Sequence, residues 1–236
     1  MRFSPTTGTL PDEVFREAVK GVIAGRHQVA LEKLVWFHKN AIRLRPSLSG
    51  VRRSYALRVW KNLSGRYPPA MKALRRSRDA ARHAARTERG KATGQSYADF
   101  AAINHYLDEE PKTVRLFKWL HKHWPKIARD VYHRTEEVLA RANEFKLCGA
   151  YIDSVEQFTR IRRGFRVNMR LARNEFGVEH EEYAYQAFSE KTTRLVALLT
   201  LNGRTKEAKQ IVARAKRVWS SAKFSHQLEL AQKGQF

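Results

Sequence analysis

The sequence predicts an all-α fold, and three observations carry that expectation. Apolar residues recur at steps of three and four through most of the chain, the period of one helix face. Proline and glycine fall where they would open and close helices. No segment shows sustained period-two alternation bounded by hairpin turns, so essentially no sheet is expected.

The order of elements follows from these signals. The first helix, about 10–25, takes Thr9 as N-cap, Pro11 and two acids in its first turn, and Gly25 as its stop. Val14, Ala18 and Val22, with Phe15, Val19 and Ile23, step by four along it. A second helix, 27–44, ends before Pro46, and a third runs from the Ser47–Ser49 cap region to about Ser64. "GRYPPA" breaks the chain, and Pro68–Pro69 open a long fourth helix to about 89. "GKATGQS", 90–96, reads as a flexible connection with a helix restarting at Tyr97. Pro111 and Pro125 open helices at 111–123 and 125–145, and helices at 154–174, 179–201 and 204–230 complete the chain. About nine to ten antiparallel helices are expected in one domain, 10–230, between tails 1–9 and 231–236. The 90–96 connection is the place where that domain could divide.

Certain turns carry a further signature. Gly25, His27, Ala30 and Leu31, followed by Ala41 and Pro46, resemble the second helix of a tetratricopeptide repeat. Gly203, Ala208 and Ala215 fit the same spacing with Thr205 in the aromatic's place, and Asn143, Phe145 and Cys148 form a degenerate third copy. The resemblance covers about a third of the chain, and its copies start 118 and 60 residues apart rather than at a regular repeat. It implies stacked antiparallel helix pairs in a TPR-like right-handed solenoid. An irregular helical bundle with small residues at tight turns reads equally from the residues.

Charge is the strongest functional signal. The 236 residues carry a formal net charge of +23, a self-repulsion that an anionic partner relieves. By segment the net is +4 over 1–46, +11 over 47–92, zero over 93–153, +5 over 154–174 and +3 over 175–236. The basicity is therefore patterned. In "ALRRSRDAARHAARTERGK", Arg75, Arg78, Arg82, Arg86 and Arg89 step by three and four and draw one stripe on a helix. "TRIRRGFRVNMRLAR" repeats it with Arg163, Arg166, Arg170 and Arg173, Arg162 nearby, and Phe158, Ile161, Phe165 and Met169 on the burying side. Arg52 and Arg53 interleave with Tyr55, Trp60 and Tyr67, aromatics that either stack on unpaired bases or fill the core.

Nucleic acid, RNA or DNA, is the expected partner, bound through phosphates with limited sequence preference. A TPR-like scaffold gripping an acidic protein segment is the alternative. The R-x4-H pair Arg78 and His83, with Asp79, resembles the motif of HEPN-type helical ribonucleases and implies a third reading. A chance occurrence of that spacing is expected in a chain with 29 Arg and 9 His, and no catalytic residue is assigned. No metal or other cofactor is expected: His121 and His123 lie two apart and diverge on a helix, and no phosphate loop, nucleophile elbow or dinucleotide fingerprint is present. The acids of "DEEP" and "EHEEY" sit where helices begin and favour the helix dipole. With one cysteine, Cys148, no apolar leader and a longest apolar run of "LVALLTL", the expectation is a cytoplasmic protein with no membrane span.

Overall fold

The computed structural model describes residues 3, 8, 10–88 and 90–236, so Thr9 and Arg89 lie outside the described residues. Its described secondary structure is helical, with no strand among the described residues. The chain forms two compact units, Met1–Val138 and Leu139–Phe236, and residues 90–96 fall inside the first.

The first unit contains α1 (Pro11–Ile23), α2 (His27–Leu44), a 3₁₀ turn at Pro46–Leu48, α3 (Ser49–Arg53), α4 (Tyr55–Arg66), α5 (Pro68–Thr87), α6 (Lys91–Tyr106), α7 (Glu110–His123) and α8 (Pro125–Tyr132). Helix α9 (Glu136–Arg141) spans the boundary between the units. The second unit continues with α10 (Phe145–Gly149), α11 (Ser154–Leu171), a π turn at Ala172–Phe176, α12 (Gly177–Leu201), α13 (Thr205–Val218) and α14 (Ala222–Ala231).

Prolines open α1, α5 and α8, as their fixed φ and missing N–H favour. Three expected helices are broken, and each break has a local cause. At Ser54 the backbone leaves the helical region and the hydroxyl donates to the Gly50 carbonyl at 2.8 Å, a side-chain bond that competes with the helix ladder. Between α8 and α9, Thr135 bonds the Val131 carbonyl and the buried Tyr97 hydroxyl, the latter at 2.8 Å, giving a buried phenol its partner. At Trp219 the chain is extended, and Ser221 accepts the Phe224 N–H at 3.1 Å to cap α14. The connection expected at 90–96 is mostly helix, since α6 begins at Lys91.

One turn recurs between helices. Gly25, Asp108, Asn143 and Gly203 adopt positive φ of 57° to 73°. Each is followed by an N–H that reaches back five residues at 2.8 to 2.9 Å: Arg26 to Gly21, Glu109 to Asn104, Glu144 to Leu139 and Arg204 to Leu199. That bond satisfies a carbonyl that the helix end would orphan. Five residues after each turn residue stands a small buried side chain: Ala30, Thr113, Cys148 and Ala208. The hairpins close tightly there. A Cβ on Gly21 would lie 3.2 Å from the Ala30 Cβ.

The first unit's core gathers Phe15, Phe37, Leu57, Leu63 and Leu74 around the buried Trp60, whose indole N–H donates to the Ala70 carbonyl at 3.0 Å and ties α4 to α5. Trp60 is thus core, Tyr67 is half-buried, and Tyr55 is exposed with Arg58 over its ring at 5.1 Å. In the second unit α12 is central, packed against α11, α13 and α14, with Phe158, Phe188, Leu195 and Phe224 buried.

Candidate nucleic-acid interface

The expected arginines separate into two populations. In the first unit, Arg52 and Arg53 turn inward. Asp99 on α6 accepts from Arg52 through both carboxylate oxygens, one at 2.8 Å, and from Arg53 Nε at 2.7 Å. Arg52 also donates to the His38 carbonyl, and Arg53 donates to Gln95. Burial pushes the Asp99 carboxyl up, but the two guanidiniums outweigh it and hold it below the usual carboxylate range. His38, buried beside this cluster, is driven down to about 3 by burial and then by the Arg52 charge. It is neutral across ordinary pH. This is a structural network, and it corrects the expectation that Arg52 and Arg53 face a phosphate backbone.

Arg78 is corrected in the same way. It is buried, donates to Asp79 at 2.9 and 3.0 Å and pairs with Glu109, which also receives Lys112 at 2.6 Å and lies 3.8 Å from Arg75. Because Arg78 faces these carboxylates, it is withdrawn from the phosphate-stabilising role that a pairing with His83 requires. His83 itself is exposed. Of the α5 stripe, Arg75, Arg82 and Arg86 remain at the surface, Arg86 lying 4.5 Å over the Trp119 ring. Arg89 lies outside the described residues.

The second unit is different. Asp153 caps α11 by accepting the Glu156 N–H at 2.9 Å. Arg204, at the start of α13, donates to the Ile152 carbonyl at 2.8 Å and to Glu207, which also accepts from Ser154. Those bonds hold the Glu207 carboxyl below its ordinary range and pin the beginnings of α11 and α13 side by side. Beyond the pinned ends, two adjoining hollows share Phe165, Arg166 and Val218. One, of about 580 Å³, is lined by Arg166, Arg170 and Arg173 with Met169, Asn174, Tyr185 and Trp219. The other, of about 460 Å³, is lined by Arg162, Arg166, Arg214 and Arg217 with Phe158. Among the described residues, no carboxylate lines either hollow. Arg163 is exposed on the same helix.

The structure thus brings Arg162, Arg166, Arg170 and Arg173 together with two arginines that sequence reasoning passed over, Arg214 and Arg217. From Arg163 to Arg173 the stripe runs about 15 Å along α11 and into the π turn that follows it. Its floor is aromatic, but the rings are committed to one another. Trp219 stacks on Phe224 at 5.0 Å and is tilted by 30° against Tyr185 at 4.8 Å, and Phe165 packs on Phe188 at 4.9 Å and Tyr185 at 5.6 Å. Tyr185 donates its hydroxyl to Glu181 at 3.2 Å; burial, then Glu181, pushes that phenol up. These rings stiffen the floor more than they offer free faces to a ligand.

Among the described residues, no group of three or more His, Cys, Asp and Glu side chains is placed to hold a metal ion. No helix of the described residues is long and apolar enough to cross a membrane. Compared with protein-family models, curated proteins and solved structures, the chain matches none.

Proposed function

We propose that this is a nucleic-acid-binding protein, acting by binding rather than catalysis, whose contact surface is the arginine-lined groove between α11 and α13. One observation carries the reading: six guanidiniums, from Arg162, Arg166, Arg170, Arg173, Arg214 and Arg217, converge on a concave surface without a lining carboxylate. Clustered like charges repel one another, and a polyanion reverses the sign of that energy. Guanidinium suits phosphate through its planar, bidentate fork. Because the floor rings stack on each other, contact falls on the phosphate backbone common to RNA and DNA, with limited preference for base sequence. The exposed Arg75, Arg82 and Arg86 add to the attraction at long range.

Filter binding of generic oligonucleotides at several salt concentrations tests this. If all six arginines neutralise phosphates, the log–log salt slope is about −4 to −5, and affinity falls about a thousandfold between 50 and 200 mM salt. Homopolymers of different bases should bind alike. No binding at low salt ends the proposal.

A second reading draws on the recurrent turn with its small buried residue five positions on, which suits a TPR-like scaffold binding an acidic protein segment. Tight capture of an acidic peptide, with no oligonucleotide bound under the same conditions, selects that reading.

A further inference from the structure

The tip where α11 turns into α12 is the chemical opposite of the groove beside it. Between Arg173 and Lys191 the chain has no Lys or Arg and five acids, within a protein of net charge +23. Three of those acids, Glu175, Glu179 and Glu182, are exposed, and among the described residues their side chains have no hydrogen bond or ion pair. The remaining two are engaged, Glu181 with Tyr185 and Glu190 with Gln186. Amid the free carboxylates stand three large apolar side chains that the fold leaves in water: Phe176 at 58%, Val178 at 72% and Tyr183 at 53% exposure. His180 packs between Phe176 and Tyr183, at 5.2 and 5.5 Å from their rings.

This projection is built into the backbone. The π turn at Ala172–Phe176 ends at Gly177, with φ 69° and ψ −157°, a region essentially restricted to glycine. Among the described residues, this acidic, aromatic knob has no charged partner. Its complement lies in the same unit. The hollow of about 580 Å³ offers guanidiniums for the carboxylates and the half-buried Met169 and Val218 side chains for the rings.

We infer that the knob of one copy docks into the groove of a second copy of this chain, so that the protein self-associates through the surface that receives polyanion. Arg173 and Asn174 line the groove while Glu175 and Phe176 begin the knob, so the two patches are contiguous. A two-fold axis beside them lets each copy insert its knob into the other, the self-complementary arrangement that closes a dimer. Nucleic acid and a second copy then compete for the same arginines. The inference rests on the chemistry of the groove and holds whether or not its other ligand is a nucleic acid.

Sedimentation velocity of the full chain across a concentration series, at 50 and 300 mM salt, tests it. The expected result is a monomer–dimer equilibrium whose dissociation constant rises about tenfold or more with salt, because the pairing is largely screened electrostatics. Reversing the knob (Glu175→Arg with Glu179→Arg and Glu182→Arg) or the groove (Arg166→Glu with Arg170→Glu) should leave each variant monomeric. Mixing the two should restore the dimer, because knob and groove are again opposite in sign at both contacts, and this rescue shows that both variants are folded. Phe176→Ser should weaken the dimer while leaving its salt dependence in place. A wild-type chain that stays monomeric at low salt and high concentration overturns the inference, as does a dimer that survives both reversals. An oligonucleotide that binds a monomeric chain sinks only the self-association; a dimer that ignores oligonucleotides sinks only the nucleic-acid reading.

Discussion

Arg78 in the first unit and the arginines of α11 in the second belong to stripes of the same spacing and do opposite work. Arg52, Arg53 and Arg78 sit on helices whose neighbours present Asp99 and Glu109, and they become internal cross-links. Arg162, Arg166 and Arg170 on α11, with Arg173 in the π turn after it, lie beside α13, which presents further arginines, Arg214 and Arg217; Arg166, Arg170 and Arg173 remain exposed. A buried guanidinium is stable only when a carboxylate or carbonyls replace its water. The element packed opposite, and not the stripe, decides whether an arginine ridge is a cross-link or a docking surface.

The largest effect should come from breaking the first unit's network. Asp99→Asn leaves Arg52 and Arg53 without their countercharge and should cost about 3–5 kcal/mol of stability, read by thermal or urea unfolding. Oligonucleotide affinity of the protein that remains folded should not change. If it does, the two arginine populations are not separate.

Stability of the first unit should also depend on pH. His38 is held at about 3 in the folded chain, below its ordinary value. Below pH about 6.5 the unfolded chain takes up a proton that the folded one refuses. Stability is therefore present above that pH and is lost as pH falls towards 3, by up to about 1.4 kcal/mol per unit. Asp99, also held low, keeps its contribution down to the ordinary carboxylate value of about 4 and loses it progressively as pH falls from there towards its own folded value. Amide exchange in α2 and α3 at successive pH values checks this, and His38→Gln should flatten the slope.

In the second unit, loss of arginines should show in binding and not in stability. Arg166→Gln with Arg170→Gln should make the salt slope of oligonucleotide binding shallower by about 1.5, with stability little altered. The smallest effect belongs to an exposed arginine of α5. Arg82→Gln should change stability by no more than about 0.5 kcal/mol in a urea melt, where Arg78→Gln is costly.

Much of this could be seen in the chain before its fold. The α11 stripe was legible because a three-and-four step needs only the helix that carries it. Three of the four recurrent turns were legible because glycine, or asparagine, five residues before a small side chain is a local signal. Asp108 escaped because an acid before "EEP" reads equally well as the start of the next helix. Arg214 and Arg217 escaped because the acids of the knob diluted them in the net charge of the last segment, although their spacing of three ahead of Trp219 was there to be read. The breaks at Ser54 and Thr135 were hidden for another reason: a serine or threonine bonding its own helix looks, in sequence, like one facing water.

What the sequence by itself determined is the all-helical class, the placing of most helix starts, and which arginines share a face. Those are short-range properties, set by backbone sterics and by a period of 3.6 residues. Only the tertiary structure decided what each face meets. Asp99 lies 46 residues from Arg53, and Arg214 lies 48 from Arg166. Electrostatic energy depends on distance and burial in space, and no spacing along the chain encodes either.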